Sequence, residues 1–424
     1  MEQILKAFEK AGVSVWRLTK NRTKSAELYF IKKELDIPRY KDIEVIRAEI
    51  FRDFEEDGKK FRGSTEIYIE PGLTDEELET KVRNAYYAAS FVKNEFYELP
   101  EGHTADHAAS RADYKDMPIT EAAGRIADTL LSVNSDEKAF INSAEIFVRR
   151  SENRIMDSNG TDVSYAHDAI WGEFVSQCVE PEDVEQYRQF AYGSLDLDAL
   201  KARLESGIAD VRLRAMAQSA PKAGTYNIIL TGENLREILR FYESRSSSSL
   251  VYPQYSTWKI GDLIQETEDG GEKLNITLKS DLPFSAEGIE LKDCPLVKDG
   301  VLQTIHGNAR FAYYLGIKPT GSYEKLALEA GTMSYEDMKK SGALEAVSFS
   351  DFQMDPMDGH FAGELRLALL TGEDGSVTPL TGGSINGSIL TAQKKLIFSK
   401  EQYKDSSYEG PLAVMIPDVT VAGE

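Results

Sequence analysis

Two alternating runs flank the dipeptide Asp57-Gly58, and they constrain the fold more than any other stretch of the chain. Residues 43–51 read I-E-V-I-R-A-E-I-F and residues 62–69 read R-G-S-T-E-I-Y-I. Period-two alternation puts apolar side chains on one face of a strand and polar ones on the other. Asp-Gly suits a two-residue hairpin turn, whose central residues take positive φ. The pattern predicts a long antiparallel hairpin with one buried face over residues 42–69.

Helical signals surround this hairpin. Residues 1–12 read as a short amphipathic helix closed by Gly12, followed by strand-like segments at 13–18 and 26–32. Thr74 and Glu77 form a capping-box pattern that opens a helix running to residue 92. Residues 97–117 are polar and irregular and predict an exposed loop. Helical patterns recur over 119–133 and 196–219, with strand-like runs at 140–149 and 154–165; the second run holds the turn signal Ser158-Asn159-Gly160. Beyond Gly224 strand-like runs dominate, at 274–278, 300–306, 346–354 and 363–370, separated by glycine-rich turns. The serine run 246–249 predicts a mobile loop. The expected fold class is α+β: an N-terminal mixed α/β domain over residues 1–220, then a β-rich, mainly antiparallel domain over 221–424.

Composition excludes several functions. The 424 residues carry a formal net charge of -22. Phosphate neutralisation needs clustered Lys and Arg, so nucleic-acid binding is not expected. No apolar run approaches the roughly 18 residues that cross a bilayer. The N-terminus lacks a basic segment followed by an apolar one, so no signal peptide is expected. The two cysteines, Cys178 and Cys294, share no CxxC pattern, which predicts a reducing, cytoplasmic setting without disulfides.

Chemical motifs are sparse. His103 and His107 have i,i+4 spacing, which on a helix lets two imidazoles share a zinc ion. Pro100 and Gly102 precede them and no glutamate lies between, so a solvated loop is favoured over a metal site. Residues 382–387, G-G-S-I-N-G, miss the G-x-S-x-G elbow by one position and read as a tight turn. No phosphate-binding glycine loop is present. Cys178 and Cys294 show no cue for a lowered thiol pKa.

One helix remains. After the apolar strand 226–230, residues 231–245 read T-G-E-N-L-R-E-I-L-R-F-Y-E-S-R. Leu235, Ile238, Leu239 and Tyr242 form one apolar stripe, with Arg236, Glu237, Arg240 and Glu243 off it. Taken alone this is an ordinary surface helix.

Further segments carry a resemblance. They are P-F-S-A-E-G-I-E-L-K-D-C-P-L-V-K-D-G-V-L from Pro283, N-A-R-F-A-Y-Y-L-G-I-K-P-T-G from Asn308 and M-D-G-H-F-A-G-E from Met357. G-G-S-I-N-G-S from Gly382 and the terminal P-D-V-T-V-A-G from Pro417 follow, with M-D-S-N-G-T-D-V-S from Met156 in the first half. In order and spacing they resemble the TldD/PmbA family, also called modulator of DNA gyrase. In the family's zinc branch the helix carries H-E-x-x-x-H and a cysteine ligand lies near the chain end. Here the histidine positions read Arg240 and Arg245, the glutamate position Phe241, and residues 405–414 hold no cysteine. Guanidinium has no free lone pair and cannot ligate zinc.

The resemblance implies a metallopeptidase-related scaffold closest to the non-zinc PmbA/TldE-type subunit, with no cofactor of its own and zinc only on a partner. The implied partner is a TldD-like zinc subunit in a heterodimer, and the implied substrate is a peptide or unfolded segment that the pair encloses during proteolysis or peptide maturation. Arg240, Arg245 and Phe241 are the candidate substrate-binding residues; pairing of the two arginines with surface acids is the plainer reading. Two alternatives stay open: a self-associating binding protein with no proteolytic role, and a peptidase in its own right using His103, His107 or Cys178.

Overall fold

The computed structural model describes residues 1–424. Its first half is one seven-stranded sheet with all its helices on one face. In chain order these elements are α1 (Glu2–Ala11), β1 (Val15–Ile31), β2 (Glu34–Glu56), β3 (Lys59–Ile69), α2 (Asp75–Ala89) and β4 (Asn94–Glu95). α3 (Ile119–Val133), β5 (Ala139–Asp157), β6 (Asp162–Cys178), β7 (Val184–Tyr192) and α4 (Leu197–Met216) complete the half. The antiparallel strand order is β4-β3-β2-β1-β5-β6-β7.

The predicted hairpin is β2–β3. Asp57 and Gly58 have φ of 51° and 72°, as the turn requires. The capping box at Thr74 forms in full, with Glu77 returning to the Thr74 amide. Two strand readings were too short. The segments at 13–18 and 26–32 join in one 17-residue strand, Val15–Ile31, and 140–157 fall within another of 19 residues. In their polar middles the half-buried Asn21 and Asn153 bond to each other at 2.7 Å while Arg22, Lys24 and Glu152 are exposed, so polarity there does not break the strand. The 97–117 segment has no regular structure, yet Tyr97, Leu99, Ala112 and Tyr114 are buried. It runs beside β6, bridging Thr104 to Asp162 and Ala108 to Tyr165.

One face of this sheet is covered. Leu18, Ala48 and Ile50 pack with α1 and α2, and Ala26, Ile146, Ile170 and Phe174 pack with α3 and α4. The opposite face is free of helices. Its lower end meets the second half of the chain, where Phe284 packs on Ile155 and Tyr165. Its upper end stays open.

The second half contains β8 (Gly224–Thr231), α5 (Gly232–Arg245), α6 (Ser248–Val251), β9 (Ile276–Lys279), β10 (Cys294–Lys298), β11 (Val301–Leu302), α7 (Ala309–Leu315), β12 (Lys325–Leu328), α8 (Tyr335–Lys340) and β13 (Leu344–Met354). β14 (His360–Thr371), β15 (Val377–Leu380), β16 (Ser384–Ser388), α9 (Ile389–Ala392), β17 (Ile397–Phe398), β18 (Gln402–Lys404), β19 (Tyr408–Pro411) and β20 (Ala413–Ala422) follow. They build two more sheets. One has the order β11-β10-β9-β12-β19-β18. The other runs β13-β8-β20-β16-β14-β15, and β14 also pairs with β13, closing a ring of strands. Only β12–β19 and β13–β8 are parallel, so the α+β, mainly antiparallel expectation holds. The largest core lies between these sheets and α5. No helix is long and apolar enough to cross a membrane. Cys178 and Cys294 are free and buried in different cores.

Candidate functional site

α5 follows β8 directly, so its position is fixed by the sheet it leaves. Leu235, Ile238, Leu239 and Tyr242 are all buried, as the stripe predicts. Phe241 is buried too, at 1% exposure, which widens the stripe beyond the sequence reading. Its ring meets Trp258 edge-on at 5.7 Å. A Cβ at Gly359 would come within 3.1 Å of it, and Gly359 has φ of +76°, so the chain there wraps the ring closely. Tyr242 donates its hydroxyl hydrogen bond to Gln393 Oε1 at 2.9 Å, which satisfies the one polar atom of a fully buried side chain.

The outer face of α5 lines an open groove of about 510 Å³. Arg236 Nη2 pairs with Glu243 at 2.6 Å, and its Nε donates to the Ser407 carbonyl at 3.3 Å. Ser407 belongs to the 405–414 segment, so the two stretches that depart from the zinc-branch pattern meet in space. Asp405 shapes that segment by accepting from the amides of Ser407 and Tyr408 at 2.7 and 2.8 Å.

His306 closes the groove's other end. Its Nε2 lies 2.8 Å from the Glu243 carbonyl. Burial lowers its pKa, so the ring is neutral at pH 7 and Nε2–H donates to that carbonyl. The serine run departs from the mobile loop expected of it. Ser246 and Ser248 are buried. The Ser246 hydroxyl donates to the Tyr242 carbonyl at 2.7 Å, and the backbone of 246–248 exchanges hydrogen bonds with His306. These serines cap the helix end, where free carbonyls need donors.

The three candidate substrate residues separate. Arg240 alone offers its guanidinium to solvent, at 57% side-chain exposure, with a 3.4 Å contact to Glu237. Arg245 turns inward: Nη1 donates to the carbonyls of Tyr255 and Met357 at 2.8 and 2.9 Å. Its guanidinium also lies over Trp258 at 5.5 Å. Phe241 is core. The alternative metal pair is not on a helix, so the i,i+4 geometry that would let it share a metal is absent. His103 packs near Phe284, while His107 Nδ1 faces the Ser164 hydroxyl at 3.2 Å.

Zinc does not fit the donors of the α5 groove. Two guanidiniums and a phenyl ring occupy the positions that would hold or serve the ion, and nowhere in the chain do three or more His, Cys, Asp or Glu side chains come together in a metal-holding group. The groove can bind ionic and hydrogen-bonding groups. Sequence reasoning missed Arg236, Ser407 and His306 as groove residues. Only Arg236 and Glu243, seven apart on the polar face, carried a local signal.

Known proteins share this fold. A family model for the PmbA/TldA metallopeptidase C-terminal domain matches residues 223–423. TldE from Thermococcus kodakarensis superposes over 100% of both chains with a TM-score of 0.79 at 16% identity. Residues 223–423 thus carry the C-terminal domain of the PmbA/TldA metallopeptidase family. A modulator of a DNA gyrase from Thermotoga maritima aligns over 99% of each chain with a TM-score of 0.76 at 16% identity. The one from Bacteroides thetaiotaomicron gives 0.75 at 17% identity, covering 100% of this chain and 98% of its own. A curated metalloprotease from Methanothermobacter thermautotrophicus is 23% identical over 218 residues, 47% of this chain. That match spans 42% of the relative's own length. The fold of these structures thus runs along the whole chain, with arginine and phenylalanine where the resemblance places the zinc motif.

Proposed function

We propose that this chain is the zinc-free, PmbA/TldE-type subunit of a cytoplasmic peptide-processing complex, holding and enclosing peptide beside a zinc-bearing TldD-like partner. The observation that carries this reading is the use made of the motif positions. Phe241 is packed into the core and Arg245 ties two backbone segments together. Both have structural work incompatible with serving a metal. Arg240 is left facing the groove, where its fork matches a peptide carboxylate.

Co-expression with a TldD-like zinc subunit tests the assembly: a stable complex with peptidase activity is expected, and failure to associate contradicts the proposal. Within that complex, Arg240→Ala is expected to raise KM about tenfold for peptides with a free C-terminal carboxylate, as loss of a charge-assisted pair does. Peptides with an amidated C-terminus serve as the control. Equal effects on both peptide classes would remove the carboxylate role of Arg240.

A further inference from the structure

The upper end of the first sheet's open face carries an apolar groove of about 230 Å³. Tyr29, Ile31, Ile37 and Val175 wall it, and Glu145 and Glu173 lie along its floor. Register sets Glu145 on β5 directly opposite Glu173 on β6. Tyr29 lies opposite both Glu145 and Ile37, so all four share the open face. Like charges at directly opposed positions destabilise a sheet. The nearest basic side chains offset the pair only in part: Arg39 and Lys41 bind the buried Glu27 at 2.6 and 2.9 Å, and the field of Arg39 lowers the Glu145 pKa without cancelling the rise. Burial, then the field of Glu173, raises the pKa of Glu145. Glu173 has only a neutral partner, accepting from the Tyr187 hydroxyl at 2.7 Å. Meanwhile Ile31 and Ile37 stand 57% and 50% exposed.

We propose that this groove docks a lysine or arginine side chain of an extended polypeptide lying on the open face. The aliphatic stem runs along Tyr29, Ile37 and Val175, and the cation sits at Glu145 and Glu173, matching a side chain that is apolar along its length and charged at its tip. Charge complementarity selects this occupant, and the site rests on the peptide-binding reading above. A second copy on the neighbouring edge meets like charges in the register centred on Tyr40. β3 reaches only to Ile46, leaving residues 34–45 of β2 as a free edge. Two copies paired antiparallel about Tyr40 would set Arg39 against Lys41 and Asp36 against Glu44, which are repulsive pairs.

The test is peptide binding to the full chain, using acetylated, amidated Ala-Val-Lys-Val-Ala and its norleucine counterpart. At low salt the lysine peptide is expected to bind about tenfold more tightly, the scale of a charge-assisted hydrogen bond. The double variant E145Q/E173Q removes a repulsion, so it should fold at least as stably, and it should bind both peptides equally. If the native chain binds both equally, or the preference survives in the variant, this site is overturned while the peptide-binding reading stands. Binding of neither peptide overturns both. A change in self-association as the variant's only effect assigns the groove to a second copy and likewise overturns the proposal.

Discussion

Phe241→Glu lowers the unfolding free energy by about 4 kcal/mol or more, the cost of losing a core phenyl ring and placing a carboxylate in its stead. The ring is 1% exposed, with Trp258 edge-on and the chain at Gly359 closed around it. Urea unfolding measures the effect, and the loss should shrink at low pH, where the buried carboxyl is neutral. The triple variant R240H/F241E/R245H, which writes the family's zinc motif back into the helix, should therefore lose stability without gaining zinc. Near-native stability of F241E together with tight zinc binding by the triple variant would refute this account of the helix.

Asp168→Ala should cost about 3 kcal/mol, since removing one partner of a buried pair strands the other charge. The Asp168 side chain is 1% exposed and accepts from Arg150 Nε at 2.6 Å. Arg150 Nη2 also reaches the carbonyls of Tyr114 and Met117, at 3.3 and 3.2 Å, so the pair pins the chain entering α3 onto the sheet. Hydrogen exchange should show residues 112–119 opening first in the variant. The double variant R150M/D168L removes both charges and should recover much of the loss; an unrecovered loss would assign the effect to shape instead of charge.

The parts of the fold legible in the sequence were those set by local rules. The Thr74 capping box, the Asp57-Gly58 turn and the amphipathic helix over 119–133 each depend on residues within a few positions of one another, and each forms as read. Strand lengths were not legible. β1 and β5 carry polar residues mid-strand, with Arg22, Lys24 and Glu152 exposed, and alternation cannot distinguish such a stretch from a gap. The site was half legible. Substitution of the motif positions was plain, but the inward turn of Arg245 depends on carbonyls at Tyr255 and Met357, and the groove on Ser407 and His306. These contacts span 10 to 171 positions along the chain. The serine run failed for a related reason: low complexity suggested mobility, while His306, 60 positions on, supplies the partners that order it.

The most direct test is the zinc content of the full chain, purified without chelators, alone and in complex with a TldD-like subunit. A zinc-free subunit predicts substoichiometric metal in the chain alone and zinc in the complex that stays with the partner when the two are separated. One tightly held zinc per chain in the isolated protein would contradict the account and reopen His103 and His107 as ligands.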